Sequence, residues 1–435
     1  MRSKLVLPFL GTILLLACAN LAAQAPPADD GVTLVLMVKR GADMTSVANT
    51  ISAVNGTLMK SNTIQVTGQQ ILRVQVPPGK PSEAENSIKA MADPNITAVE
   101  RNYYLRFQDQ GEHACSPNDP DYPQQWALPD MHFPEALCRL RADDSRNRWS
   151  DSGWRGPIPS MTYLDSGVNP VYPAELVLVH QLNFADGAGG ITEHPFDADT
   201  ASNEFHGTGT SGTGGATTND HQFIAGVASA GEPVFITMLR LANPPGTTIL
   251  TADVVDALTW CIDHQRERGG PGPINLSINA DPPNTINASS VFQSLAQTLR
   301  TQGDVVVNGA GNSGTEDSSP EQYIRRVAGT DENDELASFS TFGPFYAAAP
   351  ATNILVFGAP TNGSGRPSLV IVNGTSQSAA YWSGSIAFVM AACQEQRLNA
   401  PKADEIIFNT ATVTNQGYHI PNLEKAVASC QVPQK

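Results

Sequence analysis

The feature that most constrains the fold of this 435-residue chain is an alternation of short apolar strands and helices after residue 108. Strands are predicted at Met161–Leu164, Val234–Leu241, Ile274–Ile278, Val305–Val307 and Leu369–Val372. Helices are predicted at Ala252–Arg268, near Ser290–Arg300 and from Gly374 toward Cys393. Such alternation predicts an α/β fold with a mainly parallel sheet and helices on both faces.

A smaller unit is predicted before this segment. Residues 31–107 have the pattern β-α-β-α-β, with a possible extra strand within Thr57–Val66. Asp43 is expected to cap the first helix and Pro81 to open the second. The unit contains no cysteine and no histidine. It is therefore predicted to be a small α+β domain without catalytic groups of its own.

The charge of the chain is divided between these two segments. The whole chain carries a net charge of −16, residues 31–107 carry +3 and residues 108–435 carry −19. An acidic balance of this size argues against nucleic acid or an anionic membrane as the main partner. The opposite signs suggest two folding units with complementary electrostatic potentials.

Residues 1–23 are predicted to be an export signal. Two basic residues precede the apolar run Leu5–Ala17, which is too short to span a bilayer comfortably, and small residues follow it. A second apolar run of ~18 residues does not occur, so the mature chain is expected to have no transmembrane segment. Two outcomes stay open. Ordinary cleavage gives a secreted or periplasmic protein, whereas the lipobox-like sequence ending at Cys18 gives a lipid anchor at the cell envelope.

Five cysteines follow Cys18, and none of them forms a C-x-x-C pair, so a zinc knuckle is not expected. Export permits disulfides, and an odd number leaves at least one thiol unpaired. Cys261 lies on the apolar face of a predicted helix and is expected to be the buried free thiol. The pairs expected from the remaining four are Cys115–Cys138 and Cys393–Cys430.

Four polar residues lie at positions where a parallel α/β fold gathers functional groups. Asp165 ends a predicted strand, His206 adjoins a glycine at a helix entry, Asn312 lies in a glycine-rich turn, and Ser376 lies in the first turn of a helix. Each of them alone is more simply explained as a capping, turn or surface residue. Together they supply a nucleophile, a base, an acid that orients the base, and a donor for an oxyanion.

The order of these residues along the chain discriminates between hydrolase families. The order Asp165, His206, Ser376 is that of subtilisin, and it differs from the orders in α/β-hydrolases and in chymotrypsin. The chain resembles the subtilisin-like serine peptidases over nearly everything after residue 110. The motifs that carry the resemblance are Asp165-Ser166-Gly167, His206-Gly207-Thr208, Ala310-Gly311-Asn312 and Gly374-Thr375-Ser376.

The resemblance implies a secreted serine endopeptidase that hydrolyses polypeptides through an acyl-enzyme intermediate. It implies Ser376 as nucleophile, His206 as base, Asp165 as its orienting carboxylate and Asn312 as oxyanion donor. The substrate-binding residues carried over from the family are Ser277, Ile278, Asn279, Gly309, Ala310 and Gly311. No catalytic metal is implied, and a monomer is expected.

Residues 31–107 resemble the pro-domain of this family, which acts as a folding chaperone and inhibitor. The resemblance implies a self-processing zymogen that is cut within Phe107–Cys115 and then held by its own pro-domain. Members of the family often bind structural calcium, although no cofactor is required. The acidic stretches Asp197–Asp199 and Asp331–Glu335 do not match an EF-hand loop, and solvated loops are the simpler interpretation.

The chain departs from the family pattern at three places. Gly209 stands where the family usually has a second histidine. Gln377 follows the serine in place of methionine, and the proline expected three residues later is Ala380. Ile278 and Asn279 stand where the cleft segment usually continues with glycine, so the cleavage preference cannot be copied from the family.

Two alternatives to an active endopeptidase predict different residues at the triad and oxyanion positions. One is a catalytically inactive binding protein that keeps the fold, but such a protein typically loses a triad residue, and none is lost here. The other is an acid-active sedolisin relative, which would carry Glu as base and Asp at the oxyanion position. His206 and Asn312 argue against that second alternative.

Overall fold

The computed structural model describes residues 29–64, 66–78, 80–103, 115–142, 149–150, 153–154, 160–169, 175–185, 192–193, 197, 199, 205–243, 248–278, 285–361 and 366–431. The chain divides into two compact units, Met1–Phe107 and Gln108–Lys435. The predicted export signal with Cys18 and the predicted linker up to residue 114 lie outside the described residues, so both stay predictions.

The N-terminal unit is a four-stranded antiparallel sheet with two helices. Its elements are β1 Asp29–Val38, α1 Met44–Ala53, β2 Thr57–Thr63, β3 Gln70–Gln75, α2 Pro81–Met91 and β4 Ile96–Tyr103, and the sheet order is β2-β3-β1-β4. Leu34 of β1 packs against Val47 of α1 and Ile88 of α2. Asp43 begins α1 because its side chain accepts a hydrogen bond from the backbone N–H of Thr45 at 2.9 Å. The predicted α+β architecture is confirmed, and β2 is the extra strand.

The C-terminal unit is built on a large sheet. Its strands are β5 Trp149–Ser150, β6 Gly153–Trp154, β7 Ser160–Asp165, β8 Val177–Asn183, β9 Thr192–Glu193, β10 Phe235–Arg240, β11 Pro273–Leu276, β12 Val305–Gly309, β13 Ile324–Thr330, β14 Ala347–Pro350, β15 Ile354–Thr361, β16 Arg366–Val372, β17 Thr412–Val413 and β18 His419–Ile420. Its α-helices are α3 Ala127–Asp130, α4 Phe133–Ala142, α5 His206–Gly215, α6 Thr251–Asp263, α7 Thr285–Ala288, α8 Ser290–Gln302, α9 Thr375–Ala392, α10 Ala400–Thr410 and α11 Leu423–Gln431.

The ten-stranded sheet of this unit confirms the predicted α/β fold. Its order is β17-β18-β14-β13-β12-β11-β7-β10-β8-β9. All neighbours from β18 to β8 pair in parallel, and the described antiparallel pairs of this sheet are the edge pairs β17–β18 and β8–β9. Parallel pairing brings the carboxyl ends of β7, β11 and β12 to one edge, where the polar residues predicted from the sequence follow.

Helices cover both faces of the sheet, as the apolar strands require. Val306 of β12 packs with α6 and α8, through Leu258 and Phe292. Its neighbours in sequence, Val305 and Val307, point to the opposite face and pack with α9, α10, α11 and α4. Because successive side chains of a strand alternate between faces, a strand that is apolar at every position must be covered twice.

Two details of the predicted elements are corrected. The predicted strand Leu369–Val372 exists as part of β16, but β16 pairs antiparallel with β15 in a two-stranded sheet separate from the parallel one. The helix predicted over Ala252–Arg268 ends at Asp263. The turns that follow it bring Arg268 back into the interior, where its guanidinium donates to the carbonyl of Cys261 at 3.0 Å and to Asp304 at 3.1 Å.

The cysteine predictions are confirmed. Disulfides join Cys115 to Cys138 and Cys393 to Cys430. Of the cysteines that the structure describes, Cys261 alone is unpaired, and it is buried. Burial raises the pKa of its thiol to about 12, so it is an unreactive core residue.

Within the described part of the chain, none of the helices combines the length and the hydropathy that crossing a bilayer requires.

Candidate active site

The carboxylate of Asp165 and the imidazole of His206 are hydrogen-bonded at the carboxyl edge of the sheet. Asp165 is the last residue of β7 and is 3% exposed, and its Oδ1 lies 2.7 Å from Nδ1 of His206. Because a carboxylate can only accept, Nδ1 carries the proton and Nε2 is left as the acceptor. The second carboxylate oxygen accepts from the hydroxyl of Thr210 at 2.9 Å. Both oxygens of Asp165 are thus held, and the ring of His206 is fixed in one tautomer.

A close approach between two backbones makes this pairing feasible. His206 begins α5, and Gly207 follows it. A Cβ at Gly207 would lie 2.2 Å from the carbonyl oxygen of Gly167, in the turn after β7, so a side chain there would force the two segments apart. The hydroxyl of Ser166 in the same turn accepts from the backbone N–H of Gly207 at 2.8 Å. The position after the histidine is therefore glycine for a steric reason, because a side chain there would clash with the turn after β7.

Two aspartates cap the start of α5, and their role was missed in the sequence. The carboxylate of Asp197 accepts from the backbone N–H and the hydroxyl of Thr208 at 2.9 and 2.7 Å. The carboxylate of Asp199 accepts from the backbone N–H of His206 at 3.3 Å. Asp197 is 2% exposed, and burial raises the pKa of its carboxyl to about 6. The interpretation of Asp197–Asp199 as a solvated loop is therefore wrong for Asp197.

The hydroxyl of Ser376 lies on the other side of the imidazole. Ser376 is the second residue of α9, which Gly374 precedes, and its Oγ lies 3.0 Å from Nε2 of His206. The carbonyl oxygen of Ser376 accepts from the hydroxyl of Ser277 at 3.0 Å. The first N–H groups of a helix have no partner within the helix, so positive potential surrounds this hydroxyl.

The side chain of Asn312 has a fixed orientation beside Ser376. Its Oδ1 accepts from the backbone N–H of Thr375 at 2.9 Å and from the Thr375 hydroxyl at 3.0 Å. Because a backbone N–H can donate only to the oxygen of an amide, Nδ2 must point away from Thr375. A Cβ at Gly374 would lie 3.5 Å from that Nδ2, so the glycine leaves room beside the amide donor.

The cleft residues carried over from the family are placed in different ways. Ser277 contacts Ser376 as described, and the backbone N–H of Ile278 donates to the side chain of Asn308 at 3.2 Å. Asn279 lies outside the described residues. A Cβ at Gly309 would lie 2.8 Å from the carbonyl oxygen of Thr375, so Gly309 packs tightly against the start of α9.

The other two cleft residues lie directly before Asn312. The Ala310 side chain is fully buried beside Phe345 and Ala348. Gly311 has a φ of +117°, a conformation that favours glycine, and its N–H donates to the hydroxyl of Thr375 at 3.1 Å.

Described residues of the two acidic stretches bind backbone N–H groups. Asp197 is used as a helix cap, and the Oδ1 of Asp331 accepts from the backbone N–H groups of Asn333 and Glu335 in an exposed turn. Across the described residues, His, Cys, Asp and Glu side chains do not gather in a group of three or more that could hold a metal ion.

A single buried carboxylate is a candidate for one cation ligand. Glu175 is 1% exposed, and neither of its carboxylate oxygens has a hydrogen-bond partner among the described residues. Burial, together with the nearby charges of Asp220 and Asp119, raises the pKa of Glu175 to about 9. An unpaired buried carboxyl is stabilised by its proton or by a nearby cation, and a carboxylate oxygen is a type of ligand that calcium accepts.

Comparisons with known proteins agree with this geometry. A model of the subtilase family matches residues 160–425. An extracellular protease of Xanthomonas campestris is 26% identical over 365 residues, which are 76% of this chain and 58% of that protein. A protease of Pseudoalteromonas arctica has a TM-score of 0.56 at 22% identity, over 73% of this chain and 100% of that one. An epidermin leader peptide processing serine protease of Staphylococcus aureus has a TM-score of 0.53 at 15% identity, over 93% of this chain and 100% of that one.

The share of each chain that is covered determines what these matches establish. The two solved structures share the fold with this chain, and the chain spans about half the length of the curated relatives it matches. The family model covers more than half of the chain, including Asp165, His206, Asn312 and Ser376. The resemblance drawn from the sequence motifs is confirmed: the chain belongs to the subtilase family.

Proposed function

We propose that this protein is a serine endopeptidase that hydrolyses polypeptides through an acyl-enzyme intermediate. The observation that carries the proposal is the double hydrogen bonding of His206, at 2.7 Å to Asp165 and at 3.0 Å to Ser376. A hydroxyl, an imidazole and a buried carboxylate in this sequence of contacts are the groups that acyl transfer needs. Family membership and the name of the Xanthomonas extracellular protease support the same reaction.

In the first half of the reaction, Oγ of Ser376 attacks the scissile carbonyl carbon while Nε2 of His206 takes the hydroxyl proton. Asp165 stabilises the imidazolium that forms through the hydrogen bond to Nδ1, without taking the proton itself. The C–N bond then breaks, and the proton on Nε2 passes to the leaving amine. A water molecule attacks the acyl-enzyme in the second half, with His206 again as base, and releases the acid and free Ser376.

Stabilisation of the tetrahedral oxyanion is assigned to Asn312 and to the backbone N–H of Ser376. The Nδ2 group of Asn312 is turned away from Thr375, because Oδ1 is held there by two hydrogen bonds. The N–H of Ser376 lies in the first turn of α9, where the helix dipole favours negative charge. These donors are in place before the reaction, so little reorganisation is needed when the charge develops.

Polypeptide substrates are proposed to lie along the segments that follow β11 and β12. Ser277 and Ile278 are proposed to line one side of the cleft and the backbone of Gly309, Ala310 and Gly311 the other, while Asn279 stays a prediction from the family motif. The burial of the Ala310 side chain supports a role through backbone atoms and steric shape rather than through that side chain.

The protein is further proposed to be exported and made as a zymogen. Export is supported by the signal predicted at residues 1–23, the two disulfides and the extracellular relative. The compact α+β unit before residue 107, with its charge of +3 against −19, supports an inhibitory pro-domain that is cut off within Phe107–Cys115. Anchoring through Cys18 is the alternative to free secretion, and a monomeric enzyme is proposed. A structural calcium ion is proposed only at Glu175, and no metal takes part in the reaction steps above.

The experiment that tests the proposed activity is labelling with a fluorophosphonate probe at neutral pH. The mature protein should incorporate one probe on Ser376, and Ser376→Ala should incorporate none. Ser378→Ala is the matched control, because Ser378 is a buried hydroxyl in the same helix that bonds the carbonyl of Ala349 at 2.9 Å. Absence of labelling in a folded wild-type protein would support the inactive binding protein instead. Labelling of a different residue would overturn the assignment of Ser376.

A further inference from the structure

The first turn of α9 is held by three successive residues, each of which contacts a different element. Thr375 donates to Asn312 after β12, and the carbonyl of Ser376 accepts from Ser277 after β11. The third residue, Gln377, accepts at its Oε1 a hydrogen bond from the hydroxyl of Thr213 in α5 at 2.7 Å. Gln377 stands where the family usually has methionine, and no sequence motif assigns it a role.

The contact between Thr213 and Gln377 is buried and polar. Each residue is 1% exposed. The hydroxyl of Thr213 also lies 3.1 Å from the carbonyl of Gly209, but that oxygen faces a helical N–H already, and the contact to Gln377 is shorter. A hydroxyl has one proton, so we place it toward Gln377. Inside the protein such a hydrogen bond is strong, and its loss removes a buried donor from Oε1 of Gln377.

The same two helices carry the two residues that exchange the proton. His206 begins α5, and Thr213 lies seven residues later on the same side of that helix. Ser376 and Gln377 are neighbours in α9. The helices pack closely, since a Cβ at Gly384 of α9 would lie 2.9 Å from the carbonyl of Gly214 in α5. Two separate contacts between two rigid helices fix their relative rotation as well as their distance.

We propose that Thr213 and Gln377 are positioning residues that set the hydrogen bond between Nε2 of His206 and Oγ of Ser376. Both side chains are almost fully buried, so they are proposed to act through the two helices rather than by contact with the substrate. The inference rests on the proposed function, because it concerns the alignment of the proposed base and nucleophile. A misplacement of about 1 Å at such a pair costs a rate factor of ~10².

The test uses the mature enzyme and the variants Thr213→Val, Gln377→Met and the double variant. Both single variants should lower kcat by ~10- to 100-fold with KM nearly unchanged, because the substrate-binding segments are not altered. The double variant should lose no more activity than Gln377→Met, since both lack the hydrogen bond between Thr213 and Gln377. Thr213→Ser keeps the hydroxyl and should therefore retain most of the wild-type kcat.

The melting temperature separates positioning from a general loss of stability. Thr213→Val leaves the buried Oε1 of Gln377 without this donor, whereas the double variant replaces both partners by apolar groups. The double variant should therefore melt above Thr213→Val while its kcat stays low. Ser385→Ala is the matched control, because it removes a buried hydroxyl of α9 whose hydrogen bond, among the described residues, is to the carbonyl of Tyr381 in the same helix at 2.7 Å.

Three results would overturn the proposal. They are a kcat within about twofold of wild type in both single variants, losses that multiply in the double variant, and a kcat that recovers together with the melting temperature. If the single variants do not fold, kcat and the melting temperature are compared between Thr213→Ser, which keeps the hydrogen bond, and the double variant, which lacks it. Fluorophosphonate labelling keeps this failure distinct from failure of the proposed function. Unchanged labelling rates in all variants refute the positioning role alone, whereas an unlabelled wild type refutes the activity itself.

Discussion

Asn312 has two separable tasks in this structure, and two substitutions can distinguish them. Its Oδ1 holds the start of α9 through two hydrogen bonds with Thr375, and its Nδ2 is the proposed donor to the oxyanion. Asn312→Ala removes both tasks. Asn312→Asp keeps an oxygen for Thr375 and replaces the donor by a second acceptor.

The two tasks differ in the effect that their loss should have. Loss of one oxyanion donor lowers kcat by about 10²–10³ with little change in KM, a range that comes from measurements on subtilisin, a member of the same family. Asn312→Asp should lose at least as much, because its charge repels the oxyanion. The two hydrogen bonds to Thr375 are worth ~0.5–1.5 kcal/mol each. Asn312→Ala should therefore be destabilised by ~1–3 kcal/mol, and Asn312→Asp by less.

Steady-state hydrolysis of a peptide substrate, followed by thermal unfolding of the same samples, measures both effects. We expect a low kcat in both variants and a lowered melting temperature mainly in Asn312→Ala. The assignment of Nδ2 would be refuted by an Asn312→Asp enzyme that keeps the wild-type kcat. A rise in KM alone in either variant would show that Asn312 only shapes the cleft.

Further predictions concern the buried carboxylate and the close backbone contact. The pKa of Glu175 is raised to about 9, so the stability that its proton contributes is complete below about pH 4.5 and is lost as the pH rises toward 9. In the presence of a chelator, Glu175→Gln should raise the melting temperature at pH 9 and not at pH 4; an equal effect at both pH values would contradict the assignment. Calcium should raise the melting temperature of the wild type at pH 8 and leave that of Glu175→Gln unchanged, and equal shifts would place the ion elsewhere. Gly207→Ala, whose Cβ would lie 2.2 Å from the carbonyl of Gly167, should lower kcat/KM by ~10² or more in a folded protein, and an active variant would show that the contact can relax.

The central fold could be predicted because the apolar strands and helices alternate clearly, but several strands escaped the pattern, and three of them show why. β14 reads Ala347-Ala348-Ala349-Pro350, which has no strand propensity and becomes a strand only by its place in the sheet. β13 carries two adjacent arginines, Arg325 and Arg326, that break its apolar run. Arg326 is buried and Arg325 is partly buried, and each pairs with a carboxylate distant in sequence, Arg325 with Asp404 at 2.8 Å and Arg326 with Asp317 at 2.7 Å. The third missed strand, β8, is only half buried along much of its length.

The four polar residues of the site could be named from local motifs, but their supporting residues could not. Asp165, His206, Asn312 and Ser376 each follow a strand or begin a helix, and their order along the chain is informative. Some of the groups that orient them lie outside these motifs, such as Thr210 beside Asp165 and Ser277 beside Ser376. Asp197 accepts hydrogen bonds from Thr208 of α5, which lies 11 residues later, but its local sequence favoured a solvated loop instead.

The measurement that tests the central claim most directly is rapid-quench hydrolysis of an activated ester by the mature enzyme, with mass spectrometry of the trapped intermediate. An acyl-enzyme mechanism predicts a burst of about one product equivalent per enzyme when deacylation is slower than acylation. The acyl mass should then be found on Ser376 and be absent from Ser376→Ala. Product formation without any trapped acyl group at low pH, or an acyl group on another residue, would contradict the account.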